Sequence, residues 1–255
     1  MLVDSHCHLD FPELASNLDS VMAMMRENGV AHALCVSVIL EHFPRVRALA
    51  ERYPHIYGSV GVHPDYENVA EVSTAELVKL AQHPRIIAIG ETGLDYYRVK
   101  GDPDWQRERF RRHIHAAREC GKPLIVHTRE AAADTIRIMR EEGADKAGGV
   151  MHCFTESWET AEAAMDLGYY ISFSGIVTFK NARALKEVAR KVPLERMLIE
   201  TDAPYLAPAP HRGKVNQQLV VGNVNVNNGG QAIVGPVSHA GRGKALTEDD
   251  AEKID

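Results

Sequence analysis

Two imidazoles stand two residues apart near the start of the chain, in Asp4-Ser5-His6-Cys7-His8. Residues i and i+2 of an extended chain point the same way, so both rings can reach one cation. Glu91 follows the apolar run 86–89 after Gly90, and His127 and His152 directly follow the short apolar runs 124–126 and 149–151. Asp202 ends the segment Ile199-Glu200-Thr201-Asp202. Imidazole nitrogen and carboxylate oxygen together suit divalent cations such as Zn, Mn, Co and Mg. Taken singly, each of these residues is better explained as a core or rim residue. Their meaning depends on whether the fold gathers them.

The elements that would have to gather them alternate regularly. Short β-branched runs at 2–4, 34–38, 56–62, 86–89, 124–126, 149–151, 169–173 and 197–199 read as strands, most too uniformly apolar to be half-solvated. Helical periodicity fills 18–27, 43–52, 74–82, 105–120, 131–141, 158–167 and 182–191. A βα unit repeated through 255 residues predicts a closed parallel (β/α)8 barrel of the TIM type with an outer ring of helices. A doubly wound open sheet is the alternative. It is disfavoured because no Gly-rich phosphate fingerprint follows the first strand, and because polar candidates follow many strands instead of one switch point.

In a parallel barrel the carboxyl ends of the strands converge on one mouth, so His6, His8, Glu91, His127, His152 and Asp202 are expected to surround a single volume. Buried ionisable groups are costly unless paired or liganded, and metal binding is the economical explanation. Six donors exceed what one catalytic cation needs, which predicts two divalent cations bridged by Glu91. His6, His8, Glu91 and Asp202 would form one site, and Glu91, His127 and His152 the other. Asp202 is the expected general base.

Neighbouring residues are read more plainly. His63, in Gly61-Val62-His63-Pro64, ends the third strand and is expected to contact substrate, as are Arg98, His211 and Arg212. Asp95 is a candidate to orient a ligand histidine. Arg107, Arg109, Arg111 and Arg112 read as a solvated helix face, with Glu108 paired to Arg112 at i,i+4. Cys7 and Cys153 adjoin proposed ligands, but alternation turns them away, so both read as packing residues.

Composition narrows the classes. The chain is 45% apolar and 25% charged, which excludes general disorder. It has no stretch approaching the ~20 apolar residues of a membrane span, and its start, MLVDSHCH, lacks a signal-peptide pattern, so a cytoplasmic monomer without membrane association is expected. Four scattered cysteines read as reduced thiols. A net charge of −6 argues against coating nucleic acid by bulk electrostatics; any phosphate must meet local positive charge.

The motifs DSHCHLD at 4–10, GVHPDY at 61–66, IGETGLDYYR at 89–98, PLIVHTREA at 123–131, MHCFT at 151–155, ISFSGIVTFKNA at 171–182 and LIETDAPYLAPAPHRGK at 198–214 resemble the TatD family of metal-dependent deoxyribonucleases, within the amidohydrolase superfamily. The resemblance implies a divalent-metal phosphodiesterase that acts on DNA ends or on RNA; a barrel mouth that admits a terminal nucleotide but not a smooth duplex makes exonucleolytic attack on single-stranded or frayed ends the expectation. The resemblance favours Mg as the metal, and it implies metal roles for the same six residues the barrel argument selects. A cyclic amidase or lactonase, and an inactive nuclease-derived binding protein, are the alternatives. The chain departs from the family after Lys214. Residues 1–214 read as the barrel, whereas 215–255 form an Asn-, Gly- and Val-rich tail, a ribbon or a disordered segment, in place of the helices with which the family usually ends.

Overall fold

The computed structural model describes residues 1–97, 99 and 101–211. Arg98, Arg212 and the tail 215–255 lie outside the described residues.

Eight strands, β1 (Leu2–Cys7), β2 (Val30–Cys35), β3 (Ile56–Val60), β4 (Ile86–Asp95), β5 (Leu124–Arg129), β6 (Gly149–Met151), β7 (Tyr169–Phe173) and β8 (Met197–Ile199), pair in parallel in sequence order. Between them run α1 (Pro12–Ala15), α2 (Leu18–Glu27), α3 (Phe43–Arg52), α4 (Thr74–Ala81), α5 (Asp104–Cys120), α6 (Ala132–Glu141), α7 (Trp158–Asp166) and α8 (Arg183–Lys191). The ring closes just beyond β8, where Asp202 donates its backbone N–H to His6 O at 3.0 Å and His8 donates to Ala203 O at 2.8 Å. The result is the expected (β/α)8 barrel.

Local chemistry explains the elements. In α5 the buried Phe110, Ile114 and Ala117 recur at helical spacing and face the sheet, and Gly121, at φ 65°, ends the helix in the left-handed conformation that glycine accepts at little cost. Ser73 starts α4 by accepting the N–H of Glu76 at 3.2 Å. The main core lies between helices and the outer barrel face, with Leu77, Ile86, Phe110, Ile114, Leu124 and Tyr169 fully enclosed. Among the described residues a separate small apolar cluster is formed by Val36, Ala88 and Ile125, with Leu34 and Val150 packed against it.

Three expectations are corrected. β2 occupies Val30–Cys35 instead of 34–38; residues 36–38 continue into a buried loop, where Ser37 O accepts from Glu91 N at 3.0 Å and Val38 O from His63 N at 2.9 Å. An apolar run that crosses from strand into buried loop shows no periodicity break at the boundary. β4 runs on to Asp95, six residues past the expected end at 89. It can do so because Gly93, at φ 134°, lies so close to β5 that a Cβ there would stand 2.0 Å from His127 O. Arg109 is not solvated: it is 1% exposed, pairs with Glu71 and donates to Tyr66 O at 2.7 Å, while Glu108 pairs with Arg111. Arg109 falls on the inward stripe of α5 with Gln106, Phe110 and His113, where only its guanidinium reaches polar partners. Among the described residues no helix is long and apolar enough to cross a membrane.

Candidate metal centre

His6 and His8 leave the end of β1 with their Nε2 atoms 3.3 Å apart. Asp202, beyond β8, sets Oδ1 3.3 Å from His8 Nε2 and 3.7 Å from His6 Nε2. Its φ of 52° is a left-handed turn that aspartate tolerates better than most residues. Glu91, within β4, occupies the middle. Its Oε2 lies 3.3 Å from His6 Nε2, and its Oε1 lies 2.8 Å from His152 Nε2, 3.2 Å from His127 Nδ1 and 3.3 Å from His63 Nε2. One buried carboxylate thus touches imidazoles from four strand ends.

All six predicted donors are therefore brought together, in a grouping looser than the two expected sets. Donor atoms converge in three triads, His6/His8/Glu91, His6/His152/Asp202 and His63/Glu91/His127. His152 belongs as much to the β1 side as to the β5 side, since its ring stacks on His6 with centroids 3.8 Å apart.

The outward nitrogens decide which protons the inward ones carry. His127 Nε2 donates to Asp95 Oδ2 at 3.0 Å, His152 Nδ1 to Glu200 Oε1 at 3.0 Å, and His8 Nδ1 to Val36 O at 3.2 Å. In the neutral rings each inward nitrogen is then a bare lone pair, which is what a cation requires. His63 is arranged the other way. Its Nδ1 accepts the backbone N–H of Asp65 at 3.0 Å, so its inward Nε2 carries a hydrogen. His6 Nδ1 is buried without a partner among the described residues.

The electrostatics follow. Burial alone would raise the Glu91 carboxyl, but His152, His63 and His6 around it hold it well below the usual range. Burial would lower His152, yet Glu91 and Glu200 raise it well above the ordinary value. His6 is driven down by burial, with His152 adding to the effect. A carboxylate packed among imidazoles in this way suits occupation by divalent cations, which would replace the shared protons as the positive charge.

Two residues escaped the reading of the sequence. Glu200 accepts from His152 Nδ1, from Cys153 N at 2.7 Å and from Ser172 Oγ at 2.6 Å. Its signal was available: two residues before Asp202 at the end of β8, alternation turns it inward. Asp4 accepts from Thr201 N at 3.1 Å and from Thr201 Oγ1 at 2.6 Å, tying β1 to the end of β8, and burial pushes its carboxyl up to about 7. His211 donates its backbone N–H to Pro208 O, and its side chain makes no hydrogen bond or ion pair among the described residues.

Aromatic rings surround the mouth. Phe11 stacks on His8 at 4.7 Å, Tyr205 meets Phe11 edge-on at 6.2 Å, and Tyr66 meets His63 edge-on at 6.2 Å. Tyr97 lies under the Arg129 guanidinium at 3.7 Å. Tyr66, Tyr97 and Tyr205 are all exposed.

A family model described as TatD related DNase matches residues 3–225. The metal-dependent hydrolase YcfH of Escherichia coli K12 is 49% identical over 226 residues, covering 88% of this chain and 85% of that protein. The 3'-5' ssDNA/RNA exonuclease TatD of Salmonella typhimurium is 32% identical over 209 residues, covering 81% and 80%. Among solved structures, YJJV, a TatD homologue from Escherichia coli K12, superposes with a TM-score of 0.77 at 30% identity over 84% of this chain and 83% of that one.

Proposed function

The chain belongs to the TatD-related DNase family of metal-dependent hydrolases, and from that premise we propose that it removes nucleotides from single-stranded or frayed ends of DNA, or of RNA, using two divalent cations. The observation that carries the reading is the contact of Glu91 with four imidazoles, two of which, His127 and His152, like the neighbouring His8, have their outer nitrogens engaged as donors. His6, His8, Asp202 and Glu91 would hold one cation; Glu91, His127 and His152 would hold the other, and Mg is the metal we favour. When bound, the pair supplies Lewis acidity to the phosphoryl oxygens and acidifies an attacking water.

The chain's own residues do the rest. Asp202 sits at the mouth and takes the proton of the attacking water. His63, with its Nε2–H fixed toward the site, donates to an oxygen of the phosphodiester as charge develops there. Tyr205, Phe11 and Tyr66 offer π-faces on which terminal bases stack, an arrangement suited to unpaired ends rather than to a smooth duplex. Arg129, stacked on Tyr97, is a cation at the same rim. All these residues precede Lys214, so we assign the chemistry to 1–214.

The test couples elemental analysis to a time course on end-labelled single-stranded oligonucleotide. About two divalent ions per chain, early release of mononucleotides, and loss of both on chelation are expected. Early internal fragments without mononucleotide would contradict the exonuclease reading. A metal-loaded chain that leaves nucleic acid intact but opens lactones or cyclic amides would move it to carbonyl hydrolysis, and one without hydrolysis of any kind would make it a binding protein.

A further inference from the structure

Three polar side chains on one stripe of α5 hold the backbone of the loop that leaves β3. Gln106, Arg109 and His113 recur at the spacing of a single helix face, and all three are buried. His113 Nε2 accepts Val62 N–H at 3.0 Å, and Arg109 Nη1 donates to Tyr66 O at 2.7 Å and to His63 O at 3.3 Å. Gln106 Nε2 donates to Pro64 O at 3.0 Å. An inward helix face needs only apolar side chains to cover a barrel, so burying three polar ones demands another reason. What they share is the loop that carries His63.

Gln106 also grips β4. Its Oε1 accepts Asp95 N–H at 2.9 Å, and its Nε2 donates to Asp95 O at 3.0 Å as well as to Pro64 O. One amide thus satisfies three backbone groups on two elements, and its orientation follows from them, since an N–H needs an acceptor and two carbonyls need donors. Asp95 is the residue whose Oδ2 accepts from His127 Nε2, and Pro64 directly follows His63. His63 and His127 in turn meet with ring centroids 4.5 Å apart and reach the same oxygen, Glu91 Oε1, at 3.3 and 3.2 Å. Gln106 stands behind both rings.

We propose that Gln106 is a positioning residue of the metal centre, fixing the separation of the proton donor His63 from the metal ligand His127 through its bonds to Pro64 and Asp95. It touches neither substrate nor metal. The inference rests on the reading of His63 as donor and His127 as ligand given above. An apolar side chain in its place leaves three backbone groups without their partner, and a glutamate keeps the acceptor for Asp95 N but loses the amide donors. Either change frees the two loops to move relative to each other, and a displacement of about 1 Å at a reacting group is costly.

Gln106→Met and Gln106→Glu, each made in the wild-type chain and in His63→Asn, test it with two readouts. Mn alone, titrated by calorimetry into chelator-stripped protein, reads the His127 side, and its apparent affinity is expected to fall about tenfold in both Gln106 variants. Turnover of end-labelled single-stranded oligonucleotide at saturating Mn reads the His63 side. There kcat is expected to fall about ten- to a hundredfold with KM within about twofold, and replacing Gln106 in His63→Asn should cost less than about twofold more. A lower melting temperature with the same loss of kcat in both backgrounds would mean a structural role only and overturns the proposal. Unchanged Mn affinity in folded Gln106 variants overturns it too, while His127→Ala, if it also leaves that affinity unchanged, removes the ligand reading as well. Should Gln106→Met fail to fold, Gln106→Glu decides. A wild-type chain that binds Mn but leaves nucleic acid intact refutes the nuclease reading instead, and the Mn titration then decides the role of Gln106 alone.

Discussion

Nδ1 of His63 accepts the backbone N–H of Asp65 at 3.0 Å, which fixes the ring as a donor toward Glu91. The ring therefore differs in kind from the neighbouring His127, although both touch the same carboxylate oxygen. His63→Asn is expected to lower kcat about 10²- to 10³-fold, the usual effect of removing one donor from developing charge. Its metal content should remain that of the wild type. Loss of a metal equivalent, measured by elemental analysis, would instead make His63 a ligand.

Glu91→Ala is expected to abolish turnover and to reduce the bound metal to one ion per chain or fewer, while circular dichroism shows the barrel retained. A carboxylate shared by two sites weakens both when removed, whereas an ordinary rim glutamate would be nearly neutral. Activity close to wild type at saturating metal would remove the two-metal reading.

Glu200 holds His152 by its outer nitrogen. Glu200→Gln keeps the shape but loses the full carboxylate charge, and metal affinity is expected to fall about 10- to 100-fold with little change in kcat once metal is saturating. Metal titrations followed by activity check this; an unchanged midpoint would leave Glu200 with a packing role only.

Tyr205→Ala tests the stacking rim. Stacking contributes roughly 1–3 kcal/mol per base, so KM for a single-stranded oligonucleotide is expected to rise about five- to a hundredfold at nearly constant kcat. Hydrolysis of a small phosphodiester without a base should be unaffected. An equal loss on both substrates would mean the ring supports the site instead of the base.

Stability should depend on pH through His113. Its Nε2 accepts Val62 N–H at 3.0 Å and its Nδ1 donates to Arg109 O at 2.8 Å, so the fold wants the ring neutral, and burial pushes it down from 6.5 to about 4. The unfolded chain takes up this proton near pH 6.5 and the folded chain only near 4, so the contribution is whole above pH 6.5 and is lost progressively as pH falls toward 4. The loss is of order 3 kcal/mol. His113→Gln, which does not titrate, should give a shallower fall in denaturant-measured stability across that window; parallel profiles would refute the assignment.

The barrel and the convergence of the six candidate donors were readable in the sequence for a local reason. Strand and crossover periodicities are set by neighbouring residues, and a donor just after an apolar run falls toward the carboxyl end of a strand whatever the rest of the chain does. His6, His8, His152 and Asp202 lie at or just beyond a strand end, whereas Glu91 and His127 lie within β4 and β5, which run past them. The extent of β4 was not readable, because only the packing of Gly93 against His127 O lets the strand continue to Asp95. Nor was the division of labour among the histidines. Whether a ring presents a lone pair or a proton depends on what meets its far nitrogen, and those partners arrive from distant positions: Glu200 reaches His152 across 48 residues and Asp95 reaches His127 across 32. The burial of Arg109 and the shared position of His152 have the same origin. Each depends on which side chains from separate strands and helices meet in three dimensions, and a one-dimensional pattern does not contain that information.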